Sequence, residues 1–149
     1  MAEKRYMEKP WLKSYEKGVP EFIKYEEICM PDLLERTAKE FSDKPALIFQ
    51  GTSVTFGQLK EMVDRFAACL DDFGIKKGDA VAILLPNIIP CVVAYYAILK
   101  IGAITVMNNP LYSDPELEHQ FNDSGAKVLI TLDVLGNRMI ALRPRTKIR

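Results

Sequence analysis

The stretch from Val81 to Pro110 constrains this chain more than any other. A short apolar run, Val81-Ala82-Ile83-Leu84-Leu85, is closed by Pro86-Asn87. A longer apolar run from Ile88 to Lys100 comes next and is closed by Gly102, and a third, Ala103 to Met107, ends in Asn108-Asn109-Pro110. An apolar run of strand length with no alternation fits a strand buried on both faces, and the longer run fits a crossover helix leading to a parallel partner. The segment therefore reads as one βαβ unit. The same residues are about as long as a membrane span, but Pro86, Asn87 and Pro90 break them in the middle. No transmembrane segment is expected.

Around this unit the chain alternates in the same manner. Residues 1–30 carry aromatic and Pro/Gly punctuation without a sustained period, and read as an extended arm anchored over a larger body by Trp11, Tyr15, Phe22 and Tyr25. Pro31 to Phe41 places Leu33, Leu34, Thr37, Ala38 and Phe41 at helical spacing. Ala46 to Phe49 and the residues about Val54 flank Gln50-Gly51-Thr52-Ser53 as a short hairpin. Thr55 and Gln58 form a capping box, with Val54 and Leu59 as its hydrophobic staple. The helix they start runs to Phe73 on Leu59, Val63, Phe66, Ala67, Leu70 and Phe73, and stops at Gly74. Ser113 with Glu116, and Tyr112 with Leu117, repeat the device. That short helix presents Leu117 and Phe121 inward, ends at Gly125 and feeds a strand at Lys127 to Thr131; Asp133 to Leu142 reads as one more helix. Strands alternating with helices predict an α/β fold with a mostly parallel sheet and right-handed crossovers. The expected division is an arm over 1–30, an α/β subdomain over 31–142 and a basic connector over 143–149.

Composition narrows the function. Acidic and basic residues balance at 20 each, so no overall field draws the chain to nucleic acid. Cys29, Cys69 and Cys91 are widely spaced without a Cys-x-x-Cys pair, which favours a reduced, cytoplasmic setting over a disulfide framework or a zinc knuckle. Cys69 and Cys91 read as small buried hydrophobes. His119 is the only histidine, so neither a His-pair metal site nor a Ser-His-Asp triad can be built, and it lies off the Leu117/Phe121 stripe on the solvated side. Gly74, Gly78, Gly102 and Gly125 fit no phosphate-binding spacing and serve as helix stops and turns. Asn87 stands between a strand and a helix, where open α/β sheets bring groups to ligands, but its simpler role is N-cap. Asn108 to Tyr112 form a loop at the equivalent end of the next strand, either plain or lining a cleft. Arg138, Arg143, Arg145, Lys147 and Arg149 read as a solvated basic tail. No pair of carboxylates is placed for acid–base work.

Val54-Thr55-Phe56-Gly57-Gln58-Leu59 and Leu99 to Pro110 closely resemble the first two core motifs of the adenylate-forming, or AMP-binding, enzymes: acyl-CoA synthetases, luciferases and peptide-synthetase adenylation domains. Phe56 replaces the family's Tyr, Gln58 its Glu and Ile101 its Ala, and none of these removes a group the reaction needs. Pro10-Trp11, Gly18-Val19-Pro20, Lys44 to Leu47, Lys77-Gly78-Asp79, Asn109 to Tyr112, Glu116-Leu117 and Ser124 to Lys127 are most similar to the bacterial and archaeal long-chain fatty acid–CoA ligases. The resemblance implies an N-terminal subdomain of an enzyme that joins a fatty acid to ATP as an acyl-adenylate, losing pyrophosphate, and then transfers the acyl group to CoA. ATP, Mg²⁺ and CoA are then the cofactors of the whole enzyme, which acts in the cytoplasm or peripherally at the membrane. The family's Ser/Thr/Gly-rich phosphate loop belongs shortly after a segment like Lys147-Ile148-Arg149, so no catalytic, cofactor-binding or metal-binding residue is expected here. The chain is expected to be inactive alone and to bind no cofactor tightly. A second reading is a non-catalytic α/β module pairing through an exposed apolar face with a separate catalytic chain or with itself. A third is a small flavodoxin-like nucleotide binder using the strand ends near Asn87 and Asn108, which the lack of a phosphate-binding loop disfavours.

Overall fold

The structure, a computed structural model, describes residues 8–149; the first positions of the expected arm lie outside them. The described part of the arm forms a single 3-10 turn, Pro10–Ser14, which buries no residue. Its expected anchors stay out: Trp11 is 38% exposed, Tyr15 43%, Phe22 69% and Tyr25 77%. The arm folds on itself instead, with Lys9 Nζ 3.0 Å from Glu21 Oε1 and over the Phe22 ring.

Helix α1 (Met30–Glu40) carries Pro31 in its first turn and buries Leu34 and Ala38. Strands β1 (Pro45–Phe49) and β2 (Thr52–Thr55) pair antiparallel. Their turn is shorter than the four residues expected: only Gln50 and Gly51 connect them, and both take positive φ, the geometry of a two-residue hairpin whose twist matches its strands.

Helix α2 (Phe56–Asp72) starts as its sequence demands. The Gln58 N–H donates to Thr55 Oγ1 at 3.2 Å and the Thr55 N–H to Gln58 Oε1 at 2.9 Å, while Val54 and Leu59 are both buried. It ends with Gly74 at φ 92, the Ile75 N–H donating to the Leu70 carbonyl and the Gly74 N–H to the Asp71 carbonyl. Leu70 and Ile75 close the cap as a buried pair. Phe73, expected on the apolar face, is 69% exposed because it stands past the last turn, and Cys69, off the Leu59/Val63/Ala67/Leu70 stripe, is exposed rather than buried. Thr55→Ala should cost about 1 kcal/mol while Thr55→Ser stays near neutral, by urea denaturation. Equal losses in the two variants would show that the hydroxyl bond is not what holds this terminus.

Strand β3 (Ala80–Leu84) is buried at every position and lies between two parallel neighbours, β4 (Ile104–Met107) and β5 (Val128–Thr131), in the order β4-β3-β5. Its side chains alternate between two cores. Val81, Ile83 and the next residue but one, Leu85, face α2 and α3 (Ile89–Lys100); Ala80, Ala82 and Leu84 face α4 (Asp114–Ser124) and α5 (Gly136–Leu142). This gives the three-layer α/β arrangement that a two-faced apolar strand requires. The helix expected over Asp133 to Leu142 is divided into a 3-10 turn, Asp133–Leu135, and α5.

A charge cluster unseen in the sequence ties α1, α2 and α3 together. Lys100 Nζ reaches Asp64 Oδ1 at 2.7 Å and also pairs with Glu35, while Lys60 pairs with Asp64. Burial pushes the Asp64 carboxyl up, but the hydrogen bonds from Lys100 and Lys60 outweigh it and hold the group below its ordinary value. A depressed carboxylate contributes stability that is present above its unfolded pKa and lost as pH falls through the folded one. Lys100→Gln should therefore cost about 1 kcal/mol at neutral pH, screened by salt, with the difference from wild type shrinking below about pH 4. A penalty unchanged at pH 3 would mean that the Lys100 stem, not its charge, does the holding.

Candidate functional site

The chain leaves β3 toward α3 on one face of the sheet and leaves β4 toward α4 on the other. Adjacent parallel strands whose connections part in this way open a crevice beyond their carboxyl ends, the position where open α/β sheets receive ligands. Here it has a volume of about 560 Å³ and is lined by Leu85, Pro86, Asn87, Met107, Asn108, Asn109, Pro110 and Leu111.

Asn108 is the buried polar residue at its base, 6% exposed. Its N–H extends the β3–β4 ladder by donating to the Ile83 carbonyl at 2.9 Å. Its side-chain Nδ2 donates to the Val106 carbonyl at 2.8 Å and lies 3.4 Å from that of Ile83. Two carbonyl neighbours fix the amide orientation, since a flip would bring oxygen against oxygen. Oδ1 is then a buried acceptor without a donor. Asn109 shapes the loop: its Oδ1 accepts from the Leu111 N–H at 3.0 Å and its carbonyl from the Tyr112 N–H at 3.0 Å. Asn87 is exposed at the rim and does not cap α3. Ile88 is the N-cap, with no side-chain hydrogen bond, and Pro90 in the first turn removes a donor that would need one.

The other residues weighed in the sequence are dispersed. His119 is exposed on α4. Cys91 is buried beside a second cleft shared with Asn87, and burial pushes its thiol up, away from reactivity. The basic tail is tethered rather than free: Arg138 pairs with Asp114 at 2.7 Å, Arg145 with Glu118 at 3.2 Å, and the Lys147 ammonium donates to the Asn122 carbonyl at 3.2 Å. At the start of α4 the Glu116 carboxylate accepts from the Ser113 hydroxyl and N–H, and these bonds hold it below the usual carboxylate range.

No acid, base, thiol or cation lines the crevice, so it offers hydrogen bonds and apolar walls but no proton transfer. The crevice lining does not fit ATP, Mg²⁺ or CoA: it has no cation for phosphates and no carboxylate for a metal, and no group of three metal-ligating side chains occurs among the described residues. Sequence reasoning placed Asn108 in the loop and missed its burial. The signal was its position one residue past a strand end, where the ladder's next rung falls.

A doubly wound α/β subdomain with a switch-point crevice is the class this architecture defines. The family model for AMP-binding enzymes matches residues 34–148, and the chain belongs to that family. It is 38% identical over 136 residues to a long-chain-fatty-acid–CoA ligase of Bacillus subtilis, an alignment covering 91% of this chain and 24% of the relative. It is 40% identical over 130 residues to one of Haemophilus influenzae, covering 85% and 23%. A solved long-chain-fatty-acid-CoA ligase from Archaeoglobus fulgidus superposes with a TM-score of 0.83 at 29% identity, over 91% of this chain and 29% of that one. The N-terminal subdomain of Klebsiella oxytoca NpsA superposes with a TM-score of 0.69 at 31% identity, over 71% and 28%. The chain thus spans about a quarter of the length of the curated relatives it matches.

Proposed function

We propose that these residues are the N-terminal scaffold of a long-chain fatty acid–CoA ligase, which forms an acyl-adenylate from ATP and a fatty acid with Mg²⁺ and passes the acyl group to CoA. The match over residues 34–148, together with relatives that carry this name, supports the reading most directly. The scaffold divides into an arm over 1–30, the α/β body over 31–142 and a connector over 143–149. No residue of it is assigned a catalytic, cofactor-binding or metal-binding role; fatty acid, ATP and CoA are partners of the longer enzyme. Its setting is the cytoplasm, with the enzyme working peripherally at the membrane; among the described residues no helix is long and apolar enough to cross one.

Two assays test this. The purified chain, given ATP, Mg²⁺, palmitate and CoA, should make no acyl-CoA, and turnover would overturn the assignment of the chemistry elsewhere. Residues 1–149 exchanged for the matched segment of the Bacillus subtilis relative should retain palmitoyl-CoA formation. A folded chimera active only on short acids would overturn the long-chain assignment.

A further inference from the structure

We propose that the crevice beyond β3 and β4 binds an uncharged carboxamide, whose N–H donates to Asn108 Oδ1 and whose apolar body lies along Leu85, Met107 and Leu111. The inference rests on the geometry of this chain and does not depend on the substrates proposed above.

An unpaired acceptor makes the site. Asn108 is 6% exposed, and its Nδ2 is committed to the Val106 carbonyl, with that of Ile83 beside it. The oxygen of a planar amide points away from the groups its nitrogen bonds, so Oδ1 turns from the two strands toward the crevice that Asn108 lines. No donor among the described residues reaches it. Burying an acceptor without a partner destabilises the folded chain, and a donor brought by a ligand returns that loss as affinity. The adjoining loop admits one. The Asn109 side chain accepts from the Leu111 N–H and the Tyr112 carbonyl accepts from Arg138, but the Leu111 side chain between these holds is 89% exposed and shifts without disturbing the core.

The lining sets the chemical class. Charged residues make up 27% of this chain, and the cleft between α1 and α2 is lined largely by Asp32, Glu35, Arg36, Lys39, Lys60 and Glu61. By contrast, no charged residue lines the crevice or the cleft of about 220 Å³ that adjoins it at Asn87. A charged ligand would give up its water there without meeting a counter-charge, so the fitting ligand is neutral. Exposed Asn87, at the rim where the two clefts meet, carries an amide that donates as well as accepts. A carboxamide matches the pair, with its N–H for Asn108 and its carbonyl for Asn87. Leu85, Met107 and Leu111 supply an apolar wall for the rest of the molecule.

NMR titration of the 149-residue chain with three related molecules tests this. Hexanamide has the donor; N,N-dimethylhexanamide keeps the carbonyl and the apolar body but has no N–H; hexanoate is charged and has no donor at neutral pH. Hexanamide should shift the Asn108 side-chain amide and the Leu111 N–H saturably, and bind at least about tenfold more tightly than either of the others. In Asn108→Leu its advantage over the dimethyl derivative should vanish, and an advantage that persists would overturn the proposal. Equal affinities of the two amides for the unaltered chain, hexanoate binding as tightly as hexanamide, or shifts confined to the cleft at Met62 and Phe66 would also overturn it, as would no saturable shift with any of the three. The comparison of ligands is made on the unaltered chain, so it decides the matter whether or not Asn108→Leu folds.

Discussion

Phe121→Ala should destabilise the chain by about 3–5 kcal/mol, a large part of the roughly 5–15 kcal/mol that holds a domain of this size folded. Phe121 is 1% exposed and packs with Leu84 of the central strand, Leu117 on its own helix and Leu142 of α5. The small residues Ala80 and Ala82 share that face of β3, so the aromatic ring supplies much of the volume there, and α4 cannot settle far enough onto the sheet to refill it. Phe73→Ala is the matched control: at 69% exposure its loss should stay within about 0.5 kcal/mol. Urea denaturation of both variants reads the difference. Similar losses in the two would show that the α4 face is not a packed core.

Asn108→Asp should cost about 3 kcal/mol or more at pH 7, because it sets a negative charge in a buried site whose neighbours are the Val106 and Ile83 carbonyls. Those oxygens and the desolvation both favour the protonated acid, which can donate where Nδ2 donated before, so the folded state raises the carboxyl's pKa. The folded state then binds the proton more tightly than the unfolded one, and stability relative to wild type falls as pH rises between the two values. At pH 4 the variant should approach wild type measured at the same pH. Asn108→Leu gives the contrast, a loss of about 1–3 kcal/mol from the unpaired Val106 carbonyl with no such pH dependence. A pH-independent loss under about 1 kcal/mol for Asn108→Asp would mean that a donor reaches this side chain.

How far the sequence reached is visible in which residues match their local patterns. The capping residues of α2 and the left-handed stops at Gly74 and Gly125 are found at the expected positions, because each depends only on neighbours within one helical turn. Gly102 also stops its helix, and a side chain there would in addition meet Lys77 Cγ at 3.0 Å, a close approach no local pattern announces. Asn87 departs from its pattern because two rules compete: an Asn before a helix is a good cap, but Pro90 and the bend at Ile88 move the start one residue on. Cys69 and Phe73 depart from theirs because an apolar helix face is known only to within a residue until its packing partner is known. Tyr15, Phe22 and Tyr25 are left exposed because nothing in their local spacing says which surface would bury them.

The sequence alone determined the alternation of strands and helices, the buried central strand and the family. All of these come from the period and chemistry of contiguous residues. Only the tertiary structure decided that β3 stands between β4 and β5, that Asn108 is buried with an unpaired acceptor, that Lys100 gathers Asp64 and Glu35, and that the Arg149 N–H donates to the Lys127 carbonyl. Each joins residues far apart in the chain. Their proximity comes from the order in which strands pair and the face on which each helix crosses, which no local spacing encodes.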